Sequence, residues 1–287
     1  MAGAMLTLTG VAKSFGEVDA LTHVDLEIRP GEVIGLVGGN GAGKTTLLRL
    51  MAGVMEPTNG SVLFKGQKVS TIREKLGVVP ESTGLYSRLT AWENIRYHSR
   101  MYGVADDVAW NRVSHFAKRL DMSESLSRHT KGFSRGMRQK TALLRALAHG
   151  PDILLLDEPT AGLDVTSART VRALVGKLRD EGGTVIYSTH HLAEAQQVCD
   201  RIIIIHNGEV RADGSPNDLL EMTNCDTLEE AYVSLTSDKA RARNEDDAKE
   251  GKLARWWRLF LTGKTPDSTE SVDLLSMTQT REVIEDE

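Results

Sequence analysis

Two cysteines in 287 residues, Cys199 and Cys225, stand in neither C-x-x-C nor metal-ligand spacing. Their scarcity excludes a disulfide framework and a cysteine-built zinc site, and fits a reducing compartment. A chain of this length can bury roughly 75% of its unfolded surface, so its core needs no such staple. Long apolar runs are also missing. The purest are residues 153–156 and 202–205, far short of the ~18 that a membrane-spanning helix requires. The opening Met1-Ala-Gly-Ala-Met5 has no basic stretch ahead of an apolar one, so a secretory leader is not expected. Nor is there an excess of positive charge. With 35 Lys+Arg against 40 Asp+Glu the formal net charge is -5, which argues against nucleic acid as a partner and leaves room only for a local basic patch. What is present, 40% hydrophobic and 26% charged residues, is a globular composition.

Short apolar runs rich in β-branched residues, at 33–37, 153–156, 184–187 and 202–205, alternate with helical patterns. Such runs read as strands of a parallel sheet buried on both faces. Residues 166–180, with Val171, Leu174, Val175 and Leu178 at helical spacing, supply the crossover that a parallel pair needs. The fold class is therefore α/β. From about 85 to 148 no comparable strand appears. This stretch opens on Thr90 and Glu93 at capping-box spacing and continues in helical patterns over 104–120 and 136–149, which predicts an inserted helical subdomain. Near the front, residues 57–60 followed by the strand-like 61–64 predict a small antiparallel sheet, and Asn207-Gly208 is a hairpin signal.

The composition shifts after Thr236, giving a domain expected over 1–236. Residues 237–252 are dense in both charges and read as a linker or solvated helix. At 253–262, Leu253, Trp256, Trp257 and Phe260 form an apolar stripe flanked by Lys252, Arg255 and Arg258. Such a stripe suits packing on the chain itself, docking on a partner or lying in a lipid interface. Residues 263–287 are acidic and polar, an expected disordered tail.

The chemistry-bearing residues begin with Gly38, Gly39, Asn40, Gly41, Ala42, Gly43, Lys44 and Thr45, a match to G-x-x-x-x-G-K-[ST]. The match follows a predicted strand and precedes a helical run that Thr46 opens. In that context successive backbone N–H groups converge on phosphate oxygens. The helix N-terminus adds partial positive charge, Lys44 reaches the outer phosphates and the Thr45 hydroxyl is a ligand for Mg²⁺. The apolar run at 153–156 ends in Asp157 and Glu158. At the C-terminal edge of a parallel sheet, Asp157 is placed to hold Mg²⁺ through water and Glu158 to polarise an attacking water.

Further motifs make a family visible. Lys131, Gly132, Phe133, Ser134, Arg135, Gly136 and Met137, followed by Arg138-Gln139-Lys140, resemble the LSGGQ signature of ATP-binding cassette (ABC) ATPases. Residues 161–164, ending in Asp164, resemble their D-loop, Ser188-Thr189-His190 their H-loop, and Phe15 their adenine-stacking aromatic. The resemblance runs from about residue 5 to 236. It implies a P-loop NTPase core of the ABC type, a mostly parallel sheet plus a small antiparallel one, using ATP and Mg²⁺. It implies that His190 contacts the γ-phosphate and attacking water. Phe15 would then stack on adenine, a contact worth about 1–3 kcal/mol by analogy with base stacking; the alternative is a core position. Ser134, Arg135, Gly136 and Met137 would act in trans on the nucleotide of a second copy, making the chain a homodimer closed by ATP. The wording of residues 79–95 and 133–140 resembles the ATPase subunits of sodium-efflux and drug-efflux ABC exporters. That implies a membrane-spanning permease as a separate partner, docked on residues 81–89 and the helical insertion, and a cytoplasmic location on the inner face of the membrane.

Two departures stand out. Glu81 occupies the Q-loop position where the family has Gln; its carboxylate can still meet Mg²⁺ through water while adding negative charge near the γ-phosphate. Arg135 and Met137 replace the usual Gly and Gln, and Arg135 reads either as an added cation near the phosphates or as part of a solvated face. These departures suggest an alternative, a soluble or regulatory ABC ATPase uncoupled from transport. Intact Lys44, Asp157, Glu158 and His190 count against it.

Overall fold

The computed structural model describes residues 3–237. The chain divides after Thr236 into two units, and the described residues belong to the first except for Ser237. The linker, amphipathic stripe and acidic tail expected beyond it lie outside the described residues, again except for Ser237.

Ten strands occur among the described residues: β1 (Leu6–Phe15), β2 (Val18–Ile28), β3 (Val33–Val37), β4 (Asn59–Phe64), β5 (Gln67–Lys68), β6 (Leu76–Val79), β7 (Ile153–Leu156), β8 (Thr184–Thr189), β9 (Arg201–His206) and β10 (Glu209–Gly214). They form one sheet in the order β5-β4-β1-β2-β10-β9-β3-β8-β7-β6. Strands β9, β3, β8, β7 and β6 run parallel to one another. Strands β2, β1, β4 and β5 form an antiparallel wing. This wing is the antiparallel sheet expected from residues 57–64, but it is not separate. The Asn207-Gly208 turn, with φ of 49° and 76°, folds β10 back on β9, and β10 then pairs with β2 at Glu209 and His23. Gly208 is required there twice over, by its positive φ and because a Cβ would lie 2.8 Å from the Ala20 carbonyl oxygen.

The parallel strands are buried on both faces, as their unbroken apolar runs require. Alternate residues serve opposite cores. Ile153, Leu155, Ile203 and Ile205 pack with the antiparallel wing and helix α1 (Lys44–Met51). Leu154, Leu156, Ile202 and Ile204 pack with the remaining helices. Between β6 and β7 the chain inserts α2 (Ala91–Met101), α3 (Asp106–Arg119) and α4 (Arg135–Leu147). Their apolar faces (Ala91, Ile95, Val113, Leu143, Leu144) join the same core as Val33, Val37 and Val185, so the insertion is continuous with the sheet. Helix α2 starts where its capping box predicts: Thr90 Oγ1 accepts the Glu93 N–H at 3.1 Å and Glu93 Oε2 accepts the Thr90 N–H at 2.8 Å. Helix α3 starts at Asp106 rather than residue 104, with Asp106 and Asp107 in its first turn, where acidic side chains complement the helix dipole. The crossover α5 (Val165–Asp180) leads to β8, and α6 (Leu192–Val198), α7 (Pro216–Thr223) and α8 (Leu228–Thr236) complete the fold. Strand β8 runs two residues past its predicted end because pairing with β3 continues through Ser188 and Thr189.

Candidate active site

The phosphate-loop glycines answer to distinct constraints. A Cβ on Gly38 would run into the Ile205 carbonyl oxygen, so β9 approaches too closely for any side chain. Gly41 and Gly43 have φ of 80° and 109°, values that L side chains rarely adopt. Gly43 is the N-cap of α1 and supplies no side-chain cap, and the first turn holds no acidic residue. The unpaired N–H groups and the positive end of the helix dipole therefore remain free for an anion. A cleft of about 440 Å³ opens here, lined by Ala20, Gly39, Asn40, Gly41, Ala42, Gly43, Lys44, Thr45, Thr46, Glu81, Glu158, Ala161 and His190.

The cleft's charges are arranged around Lys44. Its ammonium donates to the Gly38 and Gly39 carbonyl oxygens at 2.8 and 3.2 Å and lies 3.3 Å from Glu158 Oε1. The other Glu158 oxygen is 2.9 Å from His190 Nδ1. A carboxylate oxygen that accepts here would pair with the imidazole tautomer carrying its proton on Nδ1, leaving Nε2 for a second partner. Glu158 has φ of 47°, a left-handed backbone that persists in a non-glycine residue only where neighbours hold it. Part of that hold is Ser188, whose Oγ accepts the Glu158 N–H at 2.9 Å and donates to Asp157 Oδ1 at 2.8 Å. Asp157 Oδ1 also accepts from the Thr45 hydroxyl at 3.2 Å. Thr45 and Asp157 thus present hard oxygen donors side by side, the chemistry Mg²⁺ prefers when phosphates and water complete its shell. Glu81 lines both this cleft and an adjoining cavity of about 340 Å³ that Thr45 and Asp157 also line.

Other expected site residues lie outside the cleft lining. Gly38 sits beneath it, buried. Phe15 ends β1 with 48% of its surface exposed and the Lys13 ammonium 5.3 Å from its ring centroid. Ser134 caps α4, accepting the Met137 N–H at 3.2 Å, with Ser134 and Arg135 exposed and Gly136 buried. Asp164 caps α5 through the Ser167 N–H and hydroxyl at 2.9 and 2.7 Å, and these bonds hold its carboxyl below the usual range. These two segments meet each other: the Arg135 guanidinium lies against Gly162, and Ser167 against Gly136. Sequence reasoning missed the work of Ser188, which it named only as a neighbour of His190. It also missed Tyr232 of α8, whose hydroxyl accepts the Gly39 N–H at 3.1 Å. A serine at the end of an apolar strand was the available signal for the first, and Tyr232 gave none.

The ABC transporter family model matches residues 21–161. The ABC transporter ATP-binding protein NatA of Bacillus subtilis (strain 168) is 40% identical over 239 residues, covering 80% of this chain and 97% of NatA. The chain belongs to the ABC transporter ATP-binding proteins. It is an ATP-binding ATPase of the ABC type. Another relative, the Nod factor export ATP-binding protein I of Cupriavidus metallidurans, is 32% identical, covering 79% of this chain and 76% of its own. Among solved structures, an ATP-binding subunit of an ABC transporter superposes with a TM-score of 0.75 at 30% identity, covering 81% of this chain and 100% of its own. A dimeric post-hydrolysis state of the cassette MJ0796 bound to ADP and Pi superposes with a TM-score of 0.67 at 30% identity, covering 74% and 98%. This ABC ATPase therefore has the P-loop α/β fold that its motifs imply.

Proposed function

We propose that this ABC ATPase powers a separate membrane-spanning exporter, hydrolysing ATP with Glu158 as general base and His190 as its partner. The observation that carries the reading is the Lys44–Glu158–His190 chain of contacts at the cleft. These contacts bring the Glu158 carboxylate and the His190 imidazole together beside the phosphate loop, which supports the roles of base and polarising partner. Lys44 and the N–H groups of residues 43–46 bind the triphosphate, and Phe15 stacks on the base. Mg²⁺ would be held by Thr45 and Asp157 with Glu81 reached through water, and would neutralise charge developing on the phosphates. Ser134, Arg135, Gly136 and Met137, with Asp164 nearby, lie apart from the cleft and serve the nucleotide of a second copy, so two chains close head to tail. That the similar MJ0796 cassette is dimeric supports a pair of chains.

The transport path belongs to a partner permease. Among the described residues no helix is long and apolar enough to cross a membrane, and the Nod factor relative carries export in its name. The location that follows is the cytoplasmic face of the membrane. Sodium or a drug as cargo rests on the wording of residues 79–95 and 133–140. The domain reading is a cassette over 1–236 followed by a charged linker over 237–252, an amphipathic segment over 253–262 and an acidic tail. The test is sedimentation of Glu158→Gln with and without Mg-ATP. A nucleotide that binds the dimer better must shift monomer toward dimer. A variant that stays monomeric at saturating Mg-ATP overturns the homodimer.

A further inference from the structure

Behind the Glu158–His190 pair lies a polar cluster that the chemistry above does not use. Glu194, in the first turn of α6, is its centre. Glu194 Oε2 accepts from the Thr160 hydroxyl at 2.7 Å and from the Tyr187 hydroxyl at 3.2 Å. Thr160 and Tyr187 are both buried, at 7% and 0% exposure, and their oxygens are 3.1 Å apart. Glu194 Oε1 accepts from Arg172 of α5 at 2.6 Å. The Thr189 hydroxyl reaches Oε2 at 3.5 Å and accepts the His191 N–H at 3.0 Å.

The positions of these partners give the cluster its meaning. Thr160 lies two residues after Glu158, on the loop leaving β7, and Thr189 immediately precedes His190 at the end of β8. One carboxylate therefore draws donors from both loops that carry the reacting side chains, while Arg172 supplies its counter-charge. Carboxylate oxygens accept from these hydroxyls and from the guanidinium, where the amide of a glutamine would turn N–H groups toward some of the same donors. The loops need such a restraint. Glu158 sits in a left-handed backbone conformation, and His190 is exposed, held among the described residues by Glu158 and by the ring of His191 at 3.9 Å.

We propose that Glu194 is a positioning residue for ATP hydrolysis, tying the Glu158 loop to the His190 loop and so maintaining the contact between the two side chains. This rests on the roles given to Glu158 and His190 above. Loss of the tie lets the base and the imidazole drift while Lys44 keeps its bonds to the Gly38 and Gly39 carbonyl oxygens, so turnover falls and nucleotide binding does not weaken.

The experiment uses the full chain with Mg-ATP, comparing Glu194→Ala, Thr160→Val and Thr160→Ser with Glu158→Gln as control. Misplacement of reacting groups by an ångström costs up to about a hundredfold, so Glu194→Ala and Thr160→Val are expected to lower kcat by about tenfold or more. ATP affinity should not weaken, nor KM rise, by more than about threefold. Thr160→Ser, which keeps the hydroxyl, is expected to restore turnover. Parental kcat in both Glu194→Ala and Thr160→Val overturns the proposal. So does an equal loss in Thr160→Ser and Thr160→Val, which would point to packing, or a loss of affinity matching the loss of kcat. Should Glu194→Ala fail to fold, the Thr160 pair decides alone. Unchanged turnover in Glu158→Gln instead removes the base assignment, whatever the Glu194 variants do.

Discussion

Replacing Glu158 by Gln separates two effects that one carboxylate combines. The side chain keeps its size and an acceptor oxygen but loses its charge, and with it the ability to take a proton from water. Loss of a general base is expected to lower kcat by ~10²–10⁴. ATP affinity is expected to move the other way. The Lys44 ammonium lies 3.3 Å from Glu158 Oε1, with side chains only 7% and 13% exposed, and an incoming triphosphate competes with that carboxylate for the same cation. A hydrogen bond to a charged group is worth about 1.5–3 kcal/mol. Lys44 keeps the Gly38 and Gly39 carbonyl oxygens in the variant, so only part of that energy is released to the nucleotide. A gain of about 1 kcal/mol, roughly fivefold tighter binding, follows. The same loss of counter-charge lowers the stability of the nucleotide-free protein by about 1–3 kcal/mol. Calorimetric titration with Mg-ATP, steady-state phosphate release and urea unfolding read the three quantities. Weaker or unchanged affinity would refute the competition for Lys44, and parental kcat would refute the base.

Ser188→Ala removes both the donor to Asp157 and the acceptor of the Glu158 N–H. Unfolding by urea should show a loss of about 1–3 kcal/mol, and phosphate release a lower kcat; unchanged values of both would leave Ser188 without a role. Glu81→Gln is expected to spare ATP binding and to change the Mg²⁺ concentration needed for half-maximal hydrolysis, since Glu81 borders both the cleft and the cavity beside Asp157. An identical Mg²⁺ dependence would place its carboxylate away from the metal. Burial, then the charge of Arg145 and then His149, pull the His98 imidazole down from 6.5 to about 4. The unfolded chain therefore takes up that proton as pH falls from 6.5 toward 4 while the folded one does not. Folding stability should decline over that window, by about 1–2 kcal/mol once partial exposure is allowed for. Urea unfolding at pH 7 and 4.5 checks this, and His98→Gln should flatten the difference.

Much of this protein is local in its sequence. The runs at 153–156 and 202–205 are strands because unbroken apolar, β-branched stretches suit a sheet buried on both faces. The hairpin at Asn207-Gly208, the Thr90–Glu93 capping box and the positive-φ glycines Gly41 and Gly43 each fold by rules that span a few residues. Whatever lies within one turn or one strand can be read from spacing. The site itself is assembled across long separations. Strand order β3-β8-β7 sets Thr45, Ser188, Asp157 and Glu158 beside one another, and no spacing in the chain encodes which polar residues of three strands will touch. The same holds for the antiparallel wing, which joins the parallel sheet through Glu209 and His23, and for Arg135, whose resting place against Gly162 follows from how α4 and the loop before α5 pack. Residue types announced phosphate chemistry because a loop and a helix N-terminus are contiguous. The pairing of Lys44 with Glu158, and of Glu158 with His190, was decided only when the parallel strands aligned their C-terminal ends on one edge.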